Sequence, residues 1–516
     1  SLASNGTNPV SANLNENLSL LKQLFKEGSN LVTGTIAVAG GLEEAGIAYI
    51  EGLVNVVDIN EHILAPLTHG NPEFLKKQPK DQWLRMIRTH LVTNINITET
   101  DDMEQLGYHM LEGGTALFIQ GIPSVLVIGT RKIEKRGVEA PDTELALHGS
   151  KDSFTEDINT NCILIRRRLP TPRLQFREIM VGRLSRTKVR LCWIDEVAEP
   201  EILNEICKRL EQIDIDYVGT LGAITELIED SPLSIFPQYR KTQRPDRASA
   251  DLAEGRIAIL VDGFPYALVV PLFILQELQT VDDYTEKPIL GTLLRSVRYL
   301  AIFISVMMTP LYLSFVAYNH TIIPPSLAQR IAMGREGLPF PSFVEVILVT
   351  GLLDVLREAG LRLPPSLGGA ISVLGAVVIG QAAISAGYFS PSAIIVMAVT
   401  AISAFAIPSP HIASATRVLN YFLIFLAGIS GIFGVILGVI LIVWRINCIR
   451  SFGVSISHPL ESGHLKGFKD ILIRAPFWRL RKRPQIITNG NSTRMGPGTQ
   501  KPTPPEEKVP GENNES

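Results

Sequence analysis

The side chains best suited to chemistry in this 516-residue chain are few, and most lie in its apolar second half. Glu345 and Asp354 interrupt an otherwise apolar segment, and an ionisable group at membrane depth is a candidate for a functional role. Nine residues apart, they face opposite sides of a straight helix and make no paired-carboxylate site. Asp354 has a local partner in Arg357. The alternative reading puts both acids at a membrane interface, where they anchor the segment. Further on, Gly369, Ser372, Ala376, Gly380, Ala383 and Gly387 recur at spacings of 3, 4, 4, 3 and 4, one continuous stripe down a helix. Two readings fit it. Small residues let helices approach closely in lipid, or they leave room in a narrow pore. On the second reading Ser372, Ala376, Gly380 and Ala383 line the narrow face, and Gln381 borders the lumen. The glycines Gly428, Gly431, Gly434 and Gly438 form a similar series, read as packing.

Other groups point away from catalysis. Arg479, Arg481, Lys482 and Arg483 beside Trp478 suit contact with anionic headgroups. Arg166, Arg167 and Arg168 end a helical pattern, where cations complement the dipole. His109, His320 and His411 stand alone. Cys162, Cys192, Cys207 and Cys448 form no CxxC pair and have no histidine at zinc-ligand spacing, which fits a reducing compartment. No glycine-rich phosphate loop opens a helix, and no nucleophile has a neighbouring base. The expectation is no enzyme, no metal, no cofactor and no nucleic-acid partner.

The elements that must position these groups fall into two halves. The chain is 46% hydrophobic and only 19% charged. From Leu363 to Trp444 the only charged residue is Arg417, apart from the titratable His411, which excludes an ordinary soluble enzyme. Five apolar segments are expected: Tyr299–Tyr318, Pro339–Leu356, about Leu367–Tyr388, Ala393–Ile407 and Val418–Trp444. Nine Lys/Arg against two acids over 445–484 place that side in the cytoplasm. No signal peptide opens the sequence, so the first half is expected on the same side. An even number of crossings follows: four spans, with the acid-bearing second segment re-entrant or interfacial.

The polar half reads as α/β. The runs 116–129 and 258–271 match: a strand, Gln120-Gly121 or Asp262-Gly263, an apolar residue, proline, then a second strand. They are expected to be equivalent hairpins in two related subdomains. Ser153 and Glu156 read as a capping box. The fold class is thus an α/β soluble N-terminal half of two subdomains plus a polytopic α-helical membrane domain. The boundaries are an N-terminal extension with a short helix over 1–35, subdomains over 36–148 and 149–288, and a membrane domain over 289–446. A basic cytoplasmic segment over 447–484 and a disordered tail over 485–516 complete the chain.

Several long stretches carry a family resemblance. They include FTEDINTNCILIRRRLP from Phe154, SPLSIFPQYRKTQRPDR from Ser231, EGRIAILVDGFPYALVVP from Glu254, PFPSFVEVIL from Pro339, VIGQAAISAGYFSPSAIIVMAVTAISAFAIPS from Val378 and RAPFWRLRKRP from Arg474. In unbroken order over roughly residues 20 to 484, they resemble the A subunit of the GerA-type spore germinant receptors (the GerAA/GerKA-like family), with SpoVAF-like accessory proteins of the spore inner membrane as the alternative. In one departure, family members often carry a MEITFE-like pattern where residues 349–354 lie here; Thr350 stands in place of an acid, and Asp354 in place of Glu. The resemblance implies a multi-pass protein of the spore inner membrane with both termini on the cytoplasmic (spore core) side. It also implies a transporter-like, nutrient-binding B subunit and a lipoprotein C subunit as partners, contact with membrane lipid, and a homo-oligomeric, nutrient-gated cation channel that triggers ion release.

Overall fold

The computed structural model describes residues 9–38, 41–69, 79–91, 96–132, 144, 149–362, 380–458, 470–483, 485–491 and 493–496. In its first half a five-stranded antiparallel sheet contains β1 (Leu31–Val38), β2 (Glu43–Ile50), β3 (Ile97–Thr100), β4 (Gly114–Ile119) and β5 (Val125–Gly129), in the order β1-β2-β4-β5-β3. A second contains β6 (Leu174–Val181), β7 (Thr187–Ile194), β8 (Arg240–Thr242), β9 (Ile257–Val261) and β10 (Ala267–Val270), in the order β6-β7-β9-β10-β8. The two orders are the same. Helices cover both faces of each sheet, which is why β9 and β10 are apolar at every position. Ile257, Ile259 and Val261 face α4 (Pro200–Glu211) and α5 (Leu221–Ile228), while Ala258 and Leu260 face α3 (Ile158–Arg168) and α6 (Pro245–Ala253).

The matching hairpins occupy equivalent places. Gly121 and Gly263 have φ of +90° and +83°, the left-handed region their turns require. The match extends to helix starts that the sequence reading did not pair. Gln120 Oε1 accepts from Leu14 N (2.8 Å) at the start of α1 (Leu14–Phe25), and Asp262 Oδ1 accepts from Ile158 N (3.3 Å) at the start of α3. The N–H groups of Gly121 and Gly263 donate to Ala12 O and Glu156 O, both at 2.8 Å. Buried Asn17 bridges back to Ser11, as buried Asn161 does to Thr155, each holding both backbone groups of its partner.

Three expectations are corrected here. From Val10 on, the supposed extension 1–35 belongs to the first subdomain: Val10, Leu14, Leu21 and Phe25 fill its core against α2 (Met103–Leu111). The helix expected from a Ser153–Glu156 box starts later, capped by Asp157, whose carboxylate accepts from Asn159 N and Thr160 N. The tail expected to be disordered from 485 packs at first. Ile487 is fully buried against the second sheet's helices, Thr488 bridges Ala198, and Arg494 pairs with Glu254 at 3.3 Å. Of the Ile-Ile pair just beyond the basic run, Ile487 provides the burial, while Ile486 is exposed.

The second half is helical: α7 (Pro288–Ala317), α8 (Ser342–Arg362), α9 (Pro391–Phe405) and α10 (Pro410–Cys448). Helices α7 and α10 are long and apolar enough to cross a membrane. The expectation that Val418–Trp444 is one tilted span is corrected. Gly431 has φ 57° and ψ −136°, outside the helical region, and there α10 folds back on itself. A Cβ on Gly438 would lie 2.9 Å from Leu426 Cδ1, whereas a straight helix separates those residues by about 18 Å. Val435 and Val439 of the second arm pack with Ile424 and Ala427 of the first. The glycine series is therefore a hairpin seam: Gly434 and Gly438 let the arms touch, and Gly431 makes the bend.

Candidate functional site

Between α7, α8, α9 and the first arm of α10 lies a cavity of about 50 Å³ with an unusually polar wall for an apolar bundle. Ser305 and Thr309 of α7, Thr350 and Asp354 of α8, Thr400 of α9, and Thr416, Arg417 and Asn420 of α10 face it. Thr309 and Thr400 hydroxyls share a 2.9 Å hydrogen bond, and the Ser305 hydroxyl reaches Thr416 at 3.4 Å. These contacts tie the helices where lipid offers no polar partner.

Asn420 has a specific task. Pro310 has no N–H, so the carbonyl of Val306, four residues before it, loses its helical donor. Asn420 Nδ2 donates to Val306 O at 3.1 Å and also to Ser305 O at 3.1 Å. Asn420→Ala orphans that carbonyl in a dry bundle and is expected to cost about 1–3 kcal/mol. Thermal unfolding in detergent reads this as a lower midpoint, and a Pro310→Ala/Asn420→Ala double variant recovers part of it.

The two acids of the second segment are held apart in separate networks within the protein. Buried Glu345 accepts from Ser390 N and Ser390 Oγ at 2.5 and 2.6 Å, with Arg335 at 3.4 Å. Asp354 accepts from Tyr421 OH at 2.7 Å and faces Arg417 at 3.5 Å. The expected local pair with Arg357 is not its main partner: Arg357 lies over the Phe405 ring at 5.2 Å. Val346 and Val349 of this segment are buried among α7, α9 and α10.

Of the pore candidates, Ser372 and Ala376 lie outside the described residues. Gly380 and Ala383 border a separate apolar cavity of about 100 Å³ with Val349, Leu352 and Phe389, and Gln381 is exposed. The basic run is only partly free for headgroups. Arg483 donates to Ala253 O (2.8 Å) and Thr493 O (2.8 Å), Lys482 bridges Thr493, and Arg479 stacks on Trp478 at 4.7 Å. Sequence reading missed Asn420, Tyr421 and the Ser/Thr lining; polar residues at several levels of nominally apolar helices were the available signal.

The second subdomain is bolted to this bundle. Arg295 and Arg298, in the first turns of α7, pair with buried Asp283 at 3.0 and 2.8 Å. Ser409, the residue before α10, hydrogen-bonds Glu277, and His411 sits edge-on to Tyr239 at 5.8 Å. Glu277 belongs to a buried cluster in which Arg240 Nη1 grips both oxygens of Asp251 at 2.7 Å and Arg240 Nε meets Glu277. Burial is the largest influence and alone would raise both carboxylates, but Arg240, Arg247 and the hydrogen bonds together outweigh it, with Arg256 also acting on Asp251, and hold both acids below their ordinary range.

Nearby Glu229 behaves oppositely, pushed up to about 7 by burial. Its folded value exceeds the unfolded one, so keeping its proton favours the fold. The cost of ionising it grows above about pH 4.5 and is fully present above about pH 7. Asp251 and Glu277 stay ionised across that window and add no slope. Stability is expected to fall between about pH 5 and pH 8, and Glu229→Gln to flatten that decline in thermal melts.

Residues 19–486 match the family described as "Bacillus/Clostridium GerA spore germination protein", so the chain belongs to the GerA family. It is 35% identical to the "Uncharacterized membrane protein YfkQ" of Bacillus subtilis (strain 168), over 95% of this chain and 94% of that protein. It is 33% identical to "Spore germination protein GerLA" of Bacillus cereus, over 94% of this chain and 97% of that protein. The crystal structure of the N-terminal domain of the A subunit of the Bacillus megaterium spore germinant receptor GerK3 is 32% identical, covering 52% of this chain and 99% of that one, with a TM-score of 0.42.

Proposed function

We propose that this chain is the A subunit of a nutrient-sensing spore germinant receptor, seated in the spore inner membrane with both termini on the core side. It acts without enzymatic chemistry. A transporter-like B subunit holds the nutrient, a lipoprotein C subunit completes the receptor, and several copies of this chain assemble around a cation pathway. The observation that carries this reading is the family match, which runs unbroken through both soluble subdomains and the apolar helices.

Within that assembly the third segment faces the pathway. A Cβ built on Gly380 meets nothing within 4 Å, its space being the apolar cavity shared with Val349 and Leu352, and the neighbouring Gln381 side chain is exposed. The polar cavity between α7, α8, α9 and α10 is where the helices shift when the pathway opens, because its hydroxyls can exchange partners without leaving a polar group unpaired in lipid. Gly380→Leu tests this placement. The open space admits the larger side chain, so protein abundance is expected to stay normal while nutrient-triggered cation release from spores is lost. Normal release at normal abundance removes this segment from the pathway and leaves α9 as the next candidate. Lost abundance assigns the small face to packing.

A further inference from the structure

The start of the motif at Ser231 is absorbed by no role above, and its first six residues form an unusual loop. Its base is clamped. Fully buried Gln238 accepts from Ser231 N (3.0 Å) and donates to Ser231 O (2.7 Å), and Arg209 ties the preceding turn by donating to Ile228 O (2.6 Å) and Asp230 (2.5 Å). Ser234 N closes onto Ser231 O at 3.0 Å, and Phe236 N onto Ser234 Oγ at 3.1 Å. This fixed turn presents apolar side chains outward: Leu233 is 98% exposed and Ile235 42%. A rigid turn that holds a leucine wholly in water gains nothing from it.

The height of the loop explains the exposure. Phe236 packs in one apolar cluster with Ala415 and Leu419 of the first α10 arm and Ile449 just after the second, with Ile442 and Ile446 packed against them. Trp444, 63% exposed, lies between those two isoleucines, with Arg445 and Arg450 exposed nearby. An outward tryptophan flanked by arginines marks the headgroup level on the side that carries positive charge. Resting on the membrane reading above, we propose that the loop 231–236 dips Leu233 and Ile235 into the lipid interface, holding the second subdomain at a fixed height on the bilayer. The loop is anchored to α10 through Phe236. The Ser451 hydroxyl, just after α10, also donates to Gln238 O at 2.5 Å, so the clamp is tied to the chain where it leaves the membrane.

The test uses the full chain in nanodiscs of phosphatidylcholine and phosphatidylglycerol, in a Cys448→Ser background because Cys448 is exposed. Single cysteines replace Leu233, Ile235, Phe425 on the α10 arm, and Val57 on the first subdomain, all exposed positions. Each carries an environment-sensitive fluorophore, and nitroxide-bearing phospholipids serve as quencher. The expected result is loss of fluorescence at 233, 235 and 425, and none at 57. Quenching at 425 but not at 233 and 235 overturns the loop proposal alone, as does blue-shifted but unquenched emission at 233, which would mean that protein covers it. Absence of quenching at 425 overturns the membrane reading itself.

Discussion

Gly431→Ala destabilises the helical half and lowers the yield of folded protein. The backbone at Gly431, φ 57° with ψ −136°, is strained for any residue with a Cβ, at a cost of about 1–3 kcal/mol. The added Cβ also falls 2.9 Å from Tyr318 Cβ and 3.0 Å from Tyr318 Cγ, at the far end of α7. The sign of the effect discriminates between architectures. In one continuous helix, replacing glycine by alanine would stabilise by about 1 kcal/mol. In a hairpin it removes the bend that brings Leu423 and Leu426 against Gly438. Thermal melts of the detergent-solubilised chain read the sign directly, and a rise in midpoint would refute the hairpin.

Arg240→Leu has a comparable or larger effect in the soluble half. Arg240 is buried in the edge strand β8 and serves Asp251, Glu277 and the carbonyl of Gln276 together. Removing it leaves two buried carboxylates with Arg256, 3.1 Å from Asp251, and the more distant Arg247 as nearby cations. Breaking such a buried network by deleting one partner costs about 3–5 kcal/mol. The deficit should shrink as pH falls. In the wild type Arg240 keeps both acids below their ordinary range, so that contribution is lost only at low pH. In the variant the unpaired acids gain by protonation. Adding Glu277→Gln to Arg240→Leu is expected to restore part of the midpoint, since it removes one unpaired charge. No recovery would mean that Arg240 acts through packing. Because Glu277 also holds Ser409 at the head of α10, the single variant should loosen the link between soluble and helical halves.

The residues show why some of this was readable from sequence and some was not. The hairpins at Gly121 and Gly263 were legible because strand period and turn chemistry are local. The deeper repeat was written in the chain but spread thin. Ser11-Ala-Asn-Leu-Asn-Glu-Asn17 and Thr155-Glu-Asp-Ile-Asn-Thr-Asn161 share a hydroxyl, an Asx cap and a terminal Asn. Its meaning needs the fold, where each Asn bridges back to the hydroxyl residue's backbone. The α10 hairpin left one clue, its length: 39 residues of helix run about 58 Å, nearly twice a hydrocarbon core of about 30 Å. Asp354 was found as an acid in an apolar segment, but its partners Arg417 and Tyr421 lie more than sixty residues away. Spacing favoured Arg357 because only helix-local pairs are visible in a sequence. The tail's order depends likewise on Ile487 meeting a core built from residues hundreds of positions earlier.

The central claim is that this chain, together with its partner subunits, releases cations in response to a nutrient. Its most direct test is potassium efflux from liposomes holding the purified assembly, with a nutrient that germinates the parent spores added outside. Efflux is expected on nutrient addition with the full assembly, and is expected to disappear when this chain is omitted or carries Gly380→Leu. Nutrient-dependent efflux that persists without this chain would contradict the account and place the pathway in a partner.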